Sequence, residues 1–154
     1  MRKLLDINTW LALWLEKHSP HATVRRWNEQ TPLSPGDLLV CRSTEMGWLR
    51  LLTQKKVMNA CGLPAFSNND AIELFSTVLI DEAVAQIEDT PGTHSLWLPL
   101  ARNERASTKP WMAAYLAALA LTRELERGIF NRGFERYRKS GLQLLLLRDC
   151  KERP

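Results

Sequence analysis

The segment Lys3-Leu4-Leu5-Asp6-Ile7-Asn8 sets one carboxylate inside an apolar run, and Trp10-Leu11-Ala12-Leu13-Trp14-Leu15 follows at once. A short apolar strand that closes in an acid and leads into a helix is how an open α/β sheet often starts. An acid in such a strand is unfavourable without a partner, and open sheets build their sites at the carboxyl ends of their strands. Asp6 is therefore the residue around which a site is sought.

The remaining chain alternates short strands and helices. Helices are expected over 10–16, with Thr9 as cap, and over 22–30. A second strand spans 37–41, and a helix opened by Ser43 or Thr44 covers 45–54. Residues 55–69 read as a loop, and Asn69 or Asp70 caps a helix over 71–79. Residues 83–87 suggest a third strand, 92–100 a helix, and 102–110 a basic loop. Pro110 suits a first helical turn, and 111–127 is the longest helical pattern. Short strands are expected at 128–130, ending in Asn131, and at 142–147. This order predicts a three-layer α/β fold, a central, mostly parallel sheet flanked by helices. With 154 residues the chain is expected to form a single domain over 1–148 with a tail at 149–154.

Several chemistries lack their signatures. Neither GxGxxG nor GxxxxGK[ST] occurs, nor does GxSxG, and His18, His21 and His94 have no evident nucleophile partner. Cys41, Cys61 and Cys150 have no CxxC spacing, which suits reduced cytosolic thiols and argues against zinc. No run approaches the ~18 apolar residues of a membrane span, and no continuous apolar segment follows Arg2 and Lys3 as in a signal peptide. A cytoplasmic protein without membrane attachment is expected. Between Arg102 and Lys139 nine basic residues stand against four acidic ones, so this segment holds the whole net charge of +4. Such a face suits a polyanion or is simply solvated. The tryptophans lie mostly on apolar helical faces and are read as core.

In a parallel sheet all carboxyl ends point one way. Glu45, four residues after the second strand, and Asn131, at the end of another, can therefore converge on Asp6, with Asn8 able to hydrogen-bond it. Oxygen ligands at one edge suit a hard cation, Mg²⁺ or Mn²⁺. Glu45 can equally complement a helix dipole, and Asn131 can be a turn residue.

Four segments carry a resemblance: Leu4-Leu5-Asp6-Ile7-Asn8 with Trp10-Leu11-Ala12-Leu13, Thr44-Glu45-Met46-Gly47-Trp48-Leu49-Arg50-Leu51-Leu52-Thr53, Trp111-Met112-Ala113-Ala114-Tyr115-Leu116-Ala117-Ala118, and Phe130-Asn131-Arg132-Gly133-Phe134. In this order they resemble the PIN-domain ribonucleases, specifically the VapC-type toxins of toxin–antitoxin pairs. The resemblance implies a PIN-like fold, an acidic cluster holding Mg²⁺ or Mn²⁺, and hydrolysis of RNA by metal-activated water. It assigns Asp6 as first acid, Glu45 as second and Asn131 to the place of the fourth, with Asn8 as a supporting polar residue. Lys109 and Arg132 would position substrate phosphates. A cognate antitoxin and a homodimer are implied as partners.

One departure matters. The family pattern at the long helix is Trp-x-Asp-Ala-Tyr-Leu, and this chain has Ala113 where that acid belongs. The resemblance thus implies an inactivated or strongly impaired nuclease. Either an aspartate was deliberately replaced so that a toxic enzyme can be produced, or this is a natural, non-catalytic member that binds RNA or an antitoxin-like protein.

Overall fold

The computed structural model describes residues 1–18, 20–108, 110–129 and 132–147. Five parallel strands form one sheet in the order β3-β2-β1-β4-β5: β1 (Lys3–Leu5), β2 (Leu38–Cys41), β3 (Val84–Ile87), β4 (Glu126–Ile129) and β5 (Gln143–Leu146). The first three strands build outward on one side of β1. The chain then crosses back, and β4 pairs with β1 from the other side through Lys3 with Glu126, Leu4 with Arg127 and Leu5 with Gly128. The order reverses at β1, so the crevice beyond its carboxyl end is the topological switch point.

Alternation along the strands divides the core in two. Leu4, Leu39 and Cys41 face one layer, where they pack with α6 (Pro91–Ala101), α7 (Pro110–Thr122) and a 3₁₀ segment (Arg132–Ser140). Leu5, Leu38 and Val40 face the other, with α1 (Ile7–Trp14), α3 (Arg42–Leu52), α4 (Lys55–Ala60) and α5 (Asn68–Ile80). The helix α2 (His21–Gln30) lies against α1 and contributes Val24 to a small cluster with Ala12 and Leu147. No helix among the described residues is long and apolar enough to cross a membrane.

The expected fold class is the observed one, with local differences. The first strand stops at Leu5, and Asp6, not Thr9, caps α1. Ser67, rather than Asn69 or Asp70, caps α5 through a bond from the Asp70 amide. The segment read as a loop after residue 54 contains α4. The long helix ends at Thr122 instead of running to residue 127. Glu124 takes a left-handed conformation (φ 54°), the Leu125 amide donates to the Ala120 carbonyl at 2.8 Å, and that of Glu124 to Leu121 at 3.3 Å. These paired bonds are the usual closure of a helix C-terminus. They release Arg127 from the helix and place it on β4.

Candidate active site at the carboxyl edge of the sheet

Asp6 leaves β1 at the switch point and is buried, with 7% of its surface exposed. Its Oδ1 accepts from the Thr9 amide at 2.8 Å and from the Thr9 hydroxyl at 2.6 Å. The carboxylate thus satisfies an otherwise orphaned amide of the first helical turn and is favoured by the positive end of the helix dipole. The partner expected in Asn8 is therefore Thr9. Asn8 is exposed on α1 and makes no bond to Asp6.

Below Asp6 lies a cation. Arg127 is fully buried and donates through Nη1 to the Leu4 carbonyl at 2.5 Å. Its guanidinium carbon lies 4.8 Å from the centre of the Phe134 ring. Its Nε and Nη2 have no partner among the described residues. Burial lowers its pKa to about 10, against the opposing field of Asp6, so it remains charged at neutral pH. Nothing in the local sequence separates Arg127 from the exposed arginines around it. Only the helix stop at Glu124 reveals that it belongs to a central strand.

Glu45 occupies the first turn of α3, the helix that follows the neighbouring parallel strand β2. Its Oε2 accepts from Arg42 at 2.6 Å and from the Gln86 amide at 3.4 Å, and its side chain is 15% exposed. α1 and α3 approach closely beside it: a Cβ on Gly47 would stand 2.3 Å from Cδ1 of Ile7. Glu45, Met46, Gln86, Asp89 and Tyr115 line a cleft of about 440 Å³ at this edge. The Tyr115 hydroxyl donates to the Asp89 carboxylate. Burial, reinforced by that bond, raises the phenol's pKa well above its usual value.

Ala113 sits in the first turn of α7, half-buried against the cluster that contains Leu4, Leu39 and Cys41. Arg132 opens the 3₁₀ segment after β4. Asn131 and Lys109 lie outside the described residues. The structure thus sets Asp6 and Glu45 at the ends of adjacent strands, and Ala113 on a helix packed over the same strands. No cluster of three or more His, Cys, Asp or Glu side chains able to hold a metal exists among the described residues. Asp6 and Glu45 are hard oxygen donors, and magnesium is usually bound through one or two carboxylates, completing its shell with waters and substrate phosphate. The donor chemistry therefore fits such an ion, as a sparse set rather than a closed cage.

No family model matches the sequence. A curated relative does: it is 37% identical over 145 residues to Ribonuclease VapC41 of Mycobacterium tuberculosis, covering 94% of this chain and 97% of that protein, in strains CDC 1551 and H37Rv alike. The chain belongs to the VapC ribonuclease family. Solved VapC structures agree in fold. The structure of VapBC-1 from nontypeable Haemophilus influenzae aligns over 96% of this chain and 98% of its own, with TM-score 0.61 and 16% identity. VapC20 of Mycobacterium tuberculosis, a toxin that cleaves the Sarcin-Ricin loop, aligns over 87% and 93%, with the same score and identity. At that identity the likeness concerns architecture: the parallel five-stranded sheet between helical layers is the PIN-like fold of these VapC proteins.

Proposed function

We propose that this VapC-family chain is an endoribonuclease toxin of a toxin–antitoxin pair, in a form impaired by Ala113. The observation that carries this reading is the 37% identity to a VapC ribonuclease along 94% of the chain, joined to a buried carboxylate at the switch point. Mg²⁺ or Mn²⁺ would be held by Asp6, Glu45 and an acid at position 113; when bound, such an ion supplies hydroxide at neutral pH and stabilises the leaving oxygen. Thr9 fixes Asp6 by occupying Oδ1. Arg127 offsets the carboxylate's charge from inside the sheet, so the acids need not repel one another in the free protein. Arg42 does the same for Glu45 from the surface and can swing aside, being 71% exposed. Asn131 takes the fourth position of the cluster, while Asn8, Arg132 and Lys109 position substrate. RNA is the substrate, the partner is a cognate antitoxin, which the VapBC neighbours support, and a cytoplasmic homodimer is the working form.

The test is restoration. Ala113→Asp should give Mg²⁺-dependent cleavage of RNA, abolished by chelator and raised by orders of magnitude over the parent chain, and should arrest growth when expressed. A restored protein that folds like its parent yet leaves every RNA pool intact would overturn the nuclease reading. A second reading, a natural non-catalytic module binding an antitoxin-like protein, is favoured by the protein cations already set against both acids. It predicts that Ala113→Asp stays inert.

A further inference from the structure

The loop between α6 and α7 and the start of α7 enclose a cleft of about 810 Å³. Arg102, Arg105, Leu98 and Trp111 line it, with Glu104 as the one acid among its lining residues. Trp111 is 52% exposed and Leu98 47%, although most of the chain's tryptophans were expected in the core, where Trp10 and Trp48 are indeed buried. Arg102 and Arg105 are exposed and form no ion pair among the described residues.

The indole is exposed but its backbone is held. The Trp97 indole N–H donates to the Trp111 carbonyl at 2.9 Å, and Trp97 itself packs edge-on against Tyr115. Arg136 donates to the Leu100 carbonyl at the end of α6, adding a third cation beside the cleft. A flat aromatic face on a fixed support, bordered by unpaired guanidinium groups, is the combination that holds single-stranded nucleic acid: bases stack on the ring and phosphates meet the cations. A protein partner could use the exposed apolar surface, but it would leave these cations unmatched unless it were acidic.

We propose that the cleft formed by Arg102, Arg105, Leu98 and Trp111 is a subsite for single-stranded RNA, with Trp111 stacking on a base and the two arginines gripping the flanking phosphates. The identity of the ligand rests on the ribonuclease reading. Neither Asp6 nor Glu45 lines this cleft, so binding there requires neither metal nor cleavage.

The experiment is fluorescence polarisation of a labelled 2′-O-methyl oligouridine, which is not cleaved, titrated with the full chain as it stands, in chelator and at several salt concentrations. The parent chain should bind, and Trp111→Ala should weaken binding about tenfold, the size expected for one stacked base. Trp111→Phe should retain most of the affinity. Arg102→Ala with Arg105→Ala should flatten the log–log salt slope by about 1.4, two contacts at ~0.7 each. The proposal is overturned if the parent does not bind, if Trp111→Ala binds as the parent does while remaining folded by circular dichroism, or if a duplex of equal length binds equally well. Because the probe is inert and metal absent, these outcomes are independent of whether Ala113→Asp cleaves RNA. A catalytically dead restored enzyme whose parent still grips the oligonucleotide would sink the nuclease reading and leave the subsite standing.

Discussion

At the scale of single residues, polar groups decide the behaviour of the rim. Tyr115 keeps a neutral phenol bonded to Asp89, and burial raises its pKa above the ordinary value of 10. Below pH 10 the phenol is neutral in folded and unfolded chains alike, and its contribution to stability is complete. Above pH 10 the unfolded chain releases a proton that the folded chain keeps, so stability falls as pH rises. Arg127 acts in the opposite sense, since its lowered pKa of about 10 makes the folded chain lose a proton first. Urea midpoints between pH 8.5 and 11 therefore should be compared as a difference: Tyr115→Phe should lose less stability with rising pH than the parent. Equal slopes would show that the phenol ionises in the folded protein as it does in water.

At the scale of elements, the close contact of α1 with α3 determines how near the two acids' supports come. An added Cβ at Gly47 would meet the Ile7 side chain, whose far end must move. Overpacking of this kind costs about 1–3 kcal/mol, while Ala in place of Gly inside a helix gains about 1 kcal/mol. Gly47→Ala should accordingly be neutral to destabilising by up to about 2 kcal/mol in the parent. In an Ile7→Ala background the clash is gone and the same change should stabilise by about 0.5–1 kcal/mol, a reversal of sign measurable by thermal unfolding. The elements also show what was legible beforehand. The β1–α1 unit was readable because an acid within an apolar run has few places to be, and α3 because Trp48 and Leu52 repeat on one face. The short helix α4 was missed because Lys55–Ala60 is six residues with a single buried position, Met58, too brief to show a period. The end of α7 was overrun because residues 123–127 are ordinary helix formers, and the stop lies in a backbone turn at Glu124 rather than in a glycine. Thr9 was recognised as a capping residue, but the roles were inverted: the acid caps the helix and the threonine orients the acid.

At the scale of the molecule, the sheet has a separate core on each face, yet β1 and β2 contribute to both. Leu119 is fully buried in one and Leu52 in the other. Truncating either to alanine should cost about 2–5 kcal/mol. Because the layers share strands, each variant should shift one common transition, with tryptophan fluorescence and circular dichroism coinciding. Separate transitions for the two probes would mean that the faces melt independently.

The clasp between Thr9 and Asp6 carries an asymmetry for how such a protein can lose activity. Removing the acid at position 6 would strip a helix of its cap, worth about 0.5–2 kcal/mol, and strand Arg127 beside no counter-charge. At position 113 the trade is close to even: alanine gains up to about 0.7 kcal/mol in helix propensity and forgoes about 0.3–1 kcal/mol of dipole attraction. Under the proposed reading, losing an acid at this helical corner leaves the scaffold unaware of the change. A copy silenced in that way would keep its shape, and with it every surface that a partner would touch.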